Sequence, residues 1–182
     1  GINITDCTIS NNPASKYGGG INSGEKSTKL TNCMVYSNQA QNGGGVYGKY
    51  TLAGGKVYDN TASGTGGGVY TTFDGAITGT EITGNRTDGN GGGIYTYSYA
   101  NQGLDNVKIS GNTAAGNGGG LYLQPWRSGS SYSDHTTKDT EITNNTAASG
   151  GGVYAERGSG NWFVSGATKI QGNTLTDGTT EN

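Results

Sequence analysis

Hydrophobic residues are sparse in this chain, and they recur at fixed distances from two polar landmarks. The first landmark is a glycine triplet followed by one aliphatic residue, and it occurs six times. The aliphatic residues after the triplets are Ile21, Val46, Val69, Ile94, Leu121 and Val153. Successive triplets are 25, 23, 25, 27 and 32 residues apart. A repeat of about 20–50 residues is typical of solenoids and repeat arrays.

The second landmark is an asparagine that lies three residues after an aliphatic residue. The asparagines are Asn12, Asn38, Asn60, Asn85, Asn112, Asn145 and Asn173. The aliphatic residues before them are Ile9, Val35, Val57, Ile82, Ile109, Ile142 and Ile170. The residues two positions after them are Ala14, Ala40, Ala62, Thr87, Ala114, Ala147 and finally Leu175. Each repeat therefore predicts two short strands joined by an asparagine corner and a glycine corner.

Short strands separated by such corners, with a period of about 25 residues, predict a parallel β-helix, an all-β solenoid of about seven turns. We expect residues 1–182 to form a single β-helix domain. The aliphatic and alanine columns would face inward and fill a narrow tube. Because such a core is continuous along the axis, a hydrophobic content of only 30% is sufficient.

We call the aliphatic residue three positions before each asparagine the anchor. The residue just before each anchor must face outward if the anchor faces inward, so its identity tests the alignment independently. In order, these residues are Thr8, Met34, Lys56, Glu81, Lys108, Glu141 and Lys169. The last five alternate in charge, so stacked turns would place each charge between two opposite charges. This face is therefore expected to be a solvated ladder.

The repeated polar residues have structural interpretations. The asparagines either adopt left-handed turns or stack into a hydrogen-bonded amide ladder. The glycine triplets supply corners that need a positive φ or a close approach between turns. The tyrosines after the triplets are Tyr47, Tyr70, Tyr95, Tyr122 and Tyr154, with Asn22 in the first turn. They form either a stabilising aromatic ladder or an aromatic strip that contacts sugar rings or another chain.

Cys7 and Cys33 each lie two residues before an anchor, at the same position of adjacent turns. One inter-strand spacing falls within the Cα separation that a disulfide requires. The pair is predicted to form a disulfide, with two stacked reduced thiols as the alternative.

The least repetitive segments are Tyr97–Asn106, Gln124–Thr140 and Glu156–Thr168, which are predicted to be long loops. Loops on a rigid scaffold often carry binding sites. The candidate ligand-binding residues in them are Tyr97, Tyr99, Trp126, Arg127, Tyr132 and Trp162. The loops also contain Phe163, Arg157, Asp134 and the only histidine, His135. These aromatic residues either form a docking surface or cover the flank of the rod.

Composition excludes several classes of function. A net charge of −2 with 13% charged residues gives no basic patch for nucleic acid or anionic membranes. The chain has no run of 18 apolar residues, so the sequence predicts no membrane-spanning helix. Neither cysteine nor histidine has zinc-site spacing, and the acidic residues are scattered, so we expect no metal, no cofactor and no enzymatic activity.

The repeat aliphatic-x-x-Asn-x-Ala followed by Gly-Gly-Gly-Val-Tyr resembles right-handed parallel β-helix repeats. It is most similar to those of polymorphic outer-membrane-type autotransporter passengers and of large bacterial or archaeal surface adhesins. The resemblance extends from residue 4 to about residue 178. It implies an extracellular or cell-surface prokaryotic protein with structural or adhesive work and no catalytic residues.

Three functions from different classes follow: a structural filament or stalk, a carbohydrate- or host-binding adhesin, and a polysaccharide-cleaving enzyme. The expected partners are copies of the same chain or a longer parent chain, with glycans as a further candidate. The repeat spacing places the next glycine corner at the position of Asn182. Gly1 and Ile2 of a following copy could supply that corner and its aliphatic residue, and so continue the tube. End-to-end stacking into a filament is therefore predicted, with an excised fragment of a longer repeat protein as the alternative.

Overall fold

The computed structural model describes residues 1–181 except 73–74, 98–101, 125–126, 129–130, 133 and 159. The side chains of residues 102, 127–128, 131–132 and 181 also lie outside the description. The described residues form 27 strands and no helix.

The first strands are β1 (Ile2–Thr5), β2 (Thr8–Ser10), β3 (Ile21–Thr31), β4 (Met34–Tyr36), β5 (Gln39–Asn42), β6 (Val46–Ala53), β7 (Lys56–Tyr58), β8 (Thr61–Thr65) and β9 (Val69–Thr71). The middle strands are β10 (Ala76–Thr78), β11 (Glu81–Thr83), β12 (Arg86–Thr87), β13 (Ile94–Tyr97), β14 (Gln102–Asp105), β15 (Lys108–Ser110), β16 (Thr113–Ala114), β17 (Leu121–Gln124) and β18 (Arg127–Ser128). The last strands are β19 (Ser131–Tyr132), β20 (His135–Lys138), β21 (Glu141–Thr143), β22 (Thr146–Ala147), β23 (Val153–Ala155), β24 (Trp162–Ser165), β25 (Lys169–Gln171), β26 (Asn173–Leu175) and β27 (Thr180–Glu181).

All of these strands except β18 and β19 stack into three long sheets, which we name face A, face B and face C. Face A has the order β23-β17-β13-β9-β6-β10-β14-β20-β24, with β3 pairing β6 and β1 pairing β3. Face B has the order β2-β4-β7-β11-β15-β21-β25. Face C has the order β27-β26-β22-β16-β12-β8-β5. The chain visits A, B and C in each turn, so the prediction of an all-β parallel β-solenoid is confirmed.

The division of each turn differs from the sequence-based expectation of two strands. The small residue after the asparagine lies on a strand of its own, which creates face C. On face A, β6 crosses as one strand, whereas later turns cross in two halves, for example β9 and β10. The second halves β14, β20 and β24 lie within the segments that were expected to be loops. Those expectations were wrong, because the chain returns to the sheet before it leaves for face B.

The core consists of columns in which equivalent residues of successive turns stack in register. Val57, Ile82 and Ile109 are direct partners on face B, and each is at most 2% exposed. The alanine column stacks equally on face C, where Thr87 pairs with Ala62 and Ala114. The end members are less covered, and Ile170 is 39% exposed. The continuous apolar column explains how a chain with few hydrophobic residues forms a core.

The alternating charges stack in the predicted register on the outer side of face B. Glu81 is paired in the sheet with both Lys56 and Lys108, and Glu141 with Lys108 and Lys169. The Lys56 Nζ lies 2.9 Å from the Glu81 carboxylate, and the Lys169 Nζ lies 3.5 Å from that of Glu141. These side chains are about half exposed, so each pair contributes at most about 1 kcal/mol.

The last turn carries an additional strand at the edge of face C. Strand β27 folds back and pairs antiparallel with β26, with Thr180 opposite Thr174. A following copy could therefore not add a parallel strand to face C at this edge without displacing β27. The edges of β24 on face A and β25 on face B carry no further strand among the described residues.

Candidate binding surface

The seven asparagines form an uninterrupted ladder inside the corner between faces B and C. The side-chain amide of each of the first six donates to the Oδ1 of the next asparagine at 2.9–3.0 Å. The same Oδ1 also accepts the backbone N–H of the preceding asparagine, as Asn112 does from Asn85 at 2.9 Å. Of the two mechanisms considered for these residues, the structure has the amide ladder. In the five inner rungs, from Asn38 to Asn145, both amide hydrogens and the Oδ1 are hydrogen-bonded within the rod.

The left-handed backbone belongs to the residue just before each ladder asparagine, which the sequence reasoning missed. These residues have positive φ in all seven turns: Asn11, Ser37, Asp59, Gly84, Gly111, Asn144 and Gly172. A second such column lies between faces A and B: Asp6, Asn32, Gly54, Gly79, Asn106, Asp139 and Gly166. Asn, Asp and Gly tolerate this conformation best. Their recurrence at one repeat position was the available signal.

Each glycine of a triplet has a different physical role, as Gly66–Gly68 illustrates. Gly66 has a φ of 68°. A Cβ on Gly67 would lie 2.5 Å from the Gly92 carbonyl oxygen of the next turn. A Cβ on Gly68 would lie 2.9 Å from the Asn85 side-chain amide. The triplet and the asparagine ladder therefore form one device for close stacking, and the N–H groups of Gly66, Gly67 and Gly68 donate to carbonyls of the next turn.

The tyrosines after the triplets stack ring on ring along face A. The centroid separations from Tyr47 through Tyr70, Tyr95 and Tyr122 to Tyr154 are 4.8, 4.8, 5.0 and 5.3 Å. Tyr17 extends the stack onto Tyr47 at 4.5 Å and takes the place expected for Asn22. Because the ring faces cover one another, the column presents ring edges to solvent. A sugar ring therefore finds no free aromatic face along the middle of this column.

The phenol groups of this column contact residues that lie where the halves of face A separate. Tyr122 donates its O–H to Glu156 Oε2 at 2.7 Å, and Tyr95 donates to Gln124 Oε1. Burial raises the pKa of Tyr70, Tyr95 and Tyr122 well above the ordinary phenol range. In Tyr122, the hydrogen bond to Glu156 raises it further. These phenols are neutral donors at physiological pH.

The non-repeated segments connect the two halves of face A in four successive turns. We name residues 72–75, 98–101, 125–134 and 156–161 the insertions. Their flanking strands are neighbours in the sheet, so all four insertions begin and end along one line on the side of the rod. The strands β18 and β19 form an antiparallel hairpin within the third insertion.

The structure describes only some of the candidate binding residues in full. Tyr97 ends β13 at 36% exposure, beside the second insertion. Arg127 and Tyr132 are partners in the hairpin, and their side chains lie outside the description. Tyr99 and Trp126 lie outside the described residues altogether. The residues predicted together thus belong to, or border, the insertions on one side of face A.

Trp162 and His135 were expected in exposed loops, and the structure corrects both expectations. His135 begins β20 with its side chain inside the tube, 2% exposed. Trp162 packs against the core, and its Nε1–H donates to Thr137 Oγ1 at 2.9 Å. Both residues occupy the inward position of the same column, since His135 pairs with Trp162 in the sheet. The exposed aromatic residue of β24 is its neighbour Phe163, at 53% exposure.

A shallow groove of about 450 Å³ runs along the outer side of face A beside the insertions. Its floor is made of small residues from successive turns: Thr51, Gly75, Ala76, Gly103 and Thr136. Ser27 and Lys49 line one end of it. The floor is flat because Thr51, Ala76, Gly103 and Thr136 are consecutive partners across the sheet. Sequence reasoning missed the groove because its floor has no repeated motif.

A second cleft, of about 440 Å³, lies on the outer side of face B. Lys108, Glu141, Thr143 and Gln171 are among the residues that line it. Farther along the same face, Tyr36 and Tyr58 stack at a centroid separation of 4.8 Å. This pair was not anticipated, because only two turns carry a tyrosine there. Among the described residues, no group of three or more His, Cys, Asp or Glu side chains could hold a metal ion.

The structure holds Cys7 and Cys33 as free thiols, so the predicted disulfide is not formed in it. They do occupy adjacent turns as expected, since the Met34 N–H donates to the Cys7 carbonyl. Each sulfhydryl donates to the carbonyl two residues earlier, at 3.1 Å for Cys7 and 3.4 Å for Cys33. Thr80 and Thr140 do the same with their hydroxyls in later turns. The two thiols thus make the same local hydrogen bond that the threonine hydroxyls make at this position of later turns.

Comparison with known proteins identifies the family of this fold. Within the described residues, no helix is long and apolar enough to cross a membrane. Neither the curated proteins nor the solved structures gave a match to this chain. The family model described as "Right handed beta helix region" matches residues 1–179. The chain therefore belongs to the right-handed β-helix family.

Proposed function

We propose that this chain is a structural and adhesive β-solenoid module of an extracellular or cell-surface protein. Its repeated columns serve rigidity, because the asparagine amides, the tyrosine rings and the Lys/Glu pairs contact their own equivalents in neighbouring turns. Side chains engaged in this way are poor candidates for catalysis. We propose a prokaryotic source on the resemblance of the repeats alone.

The binding side of this module is proposed to be the groove on face A and the insertions beside it. The supporting observation is that all four insertions begin and end along one line next to the groove. The sequence of the insertions varies while the columns repeat, as expected of a scaffold that carries a specific surface. The ligand class that fits a shallow groove lined by the hydroxyl-bearing residues Ser27, Thr51 and Thr136 is an extended glycan chain.

A matched pair of arginine substitutions tests this proposal. Ala76 lies exposed on the groove floor, and Ala115 is exposed next to β16 on face C. Ala76→Arg is expected to abolish binding on a glycan array, whereas Ala115→Arg leaves it unchanged. Trp126→Ala provides a second probe, directed at the third insertion. Equal binding by the two arginine variants would reject the groove as the site, and release of unsaturated or reducing sugars from polyuronides would select an enzyme instead.

A second candidate is assembly with further copies or with further turns of a longer parent chain. The observation that favours it is the apolar exposure on the outermost strands, with Phe163 at 53% and Ile2 at 56%. Light scattering of the wild type and of Phe163→Lys tests association between copies. If the wild type is monomeric at high concentration, assembly between copies is rejected.

A further inference from the structure

The tyrosine column on face A is a continuous stack whose two ends differ in charge. At one end, the Lys16 Nζ lies 5.1 Å from the centroid of the Tyr17 ring. Near the other end, the phenol of Tyr122, the last ring but one, donates to the Glu156 carboxylate. A nearby cation opposes the removal of an electron from a ring, and a nearby carboxylate favours it.

Glu156 also supplies what the oxidation of a phenol requires, namely a proton acceptor in hydrogen-bond contact. The distance of 2.7 Å from the Tyr122 hydroxyl to Glu156 Oε2 suits proton transfer. Tyr95, the neighbour in the stack, donates instead to the Gln124 amide oxygen, which is a much weaker base. Tyr122 is therefore the preferred electron donor of the column.

The ring that follows Tyr122 is placed to react with it. Tyr154 lies 5.3 Å away with an interplanar angle of 11°. Tyr154 stacks on one ring only among the described residues, so no second ring holds it in place. It is also more exposed than Tyr122, which is only 6% exposed.

We propose that Tyr122 and Tyr154 form an oxidative cross-linking site, at which a one-electron oxidant produces a dityrosine bond between adjacent turns. This inference does not rest on the proposed binding function. A bond at this position would staple the two turns whose face A strands are β17 and β23.

The reaction balances as follows. The oxidant removes one electron from Tyr122 while the phenolic proton passes to Glu156. A second oxidising equivalent removes one electron from Tyr154, whose proton goes to solvent. The two phenoxyl radicals join through ring carbons ortho to their oxygens, and the hydrogens on those carbons are replaced by hydrogens on the oxygens as the rings regain aromaticity. Glu156 then releases its proton, so two electrons and two protons leave in total.

The chain contains its own control in the pair Tyr36 and Tyr58. These rings stack at 4.8 Å with an interplanar angle of 15°, a closer separation than that of Tyr122 and Tyr154. Among the described residues, no carboxylate accepts a hydrogen bond from either of them. If ring proximity alone decided the reaction, the Tyr36–Tyr58 pair would cross-link at least as fast.

The experiment uses photogenerated ruthenium(III) tris-bipyridyl as the oxidant, with persulfate as the electron acceptor, on the dilute full chain. Peptide mapping by mass spectrometry measures the rate at which each pair cross-links. We expect the Tyr122–Tyr154 bond to form first. Glu156→Gln should slow it by about 100-fold, the usual effect of losing a positioned proton acceptor, and leave the Tyr36–Tyr58 rate unchanged. Circular dichroism confirms that the variant retains its fold.

Three results would overturn the proposal. One is a Tyr36–Tyr58 bond that forms as fast as the Tyr122–Tyr154 bond in the wild type, a comparison that needs no variant. The second is an unchanged Tyr122–Tyr154 rate in Glu156→Gln. The third is the formation of dityrosine only between separate chains.

Discussion

Asn112 Oδ1 accepts two hydrogen bonds from Asn85, one from the side-chain amide at 3.0 Å and one from the backbone N–H at 2.9 Å. The Asn112 amide in turn donates to the Ile82 carbonyl and to Asn145 Oδ1, both at 2.9 Å. One fully buried side chain thus connects three consecutive turns. Because the same arrangement repeats, the ladder fixes the register of the whole rod.

Asn112→Ala is therefore expected to lower the free energy of unfolding by about 3 kcal/mol or more, since it leaves several buried groups of Asn85 and Ile82 without partners. Asn12 is the matched control, because it occupies the exposed first rung, where its amide donates to Asn38 Oδ1 and to the Ser10 carbonyl but receives no bond from a preceding asparagine. Asn12→Ala should cost about 1 kcal/mol. Urea denaturation measures both values, and equal losses would contradict the role assigned to burial.

Gly67→Ala should destabilise the rod strongly. The added Cβ would lie 2.5 Å from the Gly92 carbonyl oxygen and 2.6 Å from that of Arg86, so backbone in two turns would have to move. We expect a loss of about 3 kcal/mol or complete misfolding. Gly103→Ala is the control, since its Cβ meets nothing closer than 3.5 Å and its φ is not positive. Thermal unfolding of both variants checks the prediction, which fails if they melt alike.

The rod should lose stability in alkali, above about pH 10. Burial raises the pKa of Tyr50, Tyr70, Tyr95 and Tyr122 above the ordinary value of 10.0. Above that value the phenols of the unfolded chain lose protons that the folded chain retains, so the free energy of unfolding falls as the pH rises. Below it, these groups add no pH dependence.

Urea unfolding at about pH 8 and about pH 11 measures this slope. Tyr95→Phe removes one contributing phenol and should make the slope shallower. Tyr36→Phe serves as the comparison, because it removes a half-buried tyrosine that stands outside the face A column. An equal stability at both pH values in the wild type would contradict the prediction.

The two cysteines should react differently with iodoacetamide in the native protein. Cys7 is exposed and should be alkylated readily, whereas Cys33 is 4% exposed and should be labelled only after unfolding. Mass spectrometry of the labelled chain, purified without reductant, distinguishes the thiols from the predicted disulfide. If neither cysteine is labelled before reduction, even in denaturant, the disulfide is present after all.

The repeated elements of this fold were predictable because each turn rests on an equivalent turn. Stacking at one fixed spacing requires similar residues at each rung, so the inward columns, the alternating charges and the tyrosine column are visible in the sequence as periodic positions. The alternation from Lys56 to Lys169 became a stacked row on face B for this reason. The asparagine column was recognised in the same way, although its periodicity left two mechanisms open.

The tertiary structure alone decided where the non-repeated residues lie. Sequence placed His135 and Trp162 in loops, because nothing in the repeat marks the point at which the chain rejoins face A. Pairing of β14, β20 and β24 draws both side chains into the tube and leaves Phe163 outside. The groove beside the insertions likewise exists only after four turns have stacked, since its floor is assembled from one or two small residues of each turn. Periodic contacts can be read from a chain because the chain repeats them, whereas contacts made once depend on the path that the folded backbone takes.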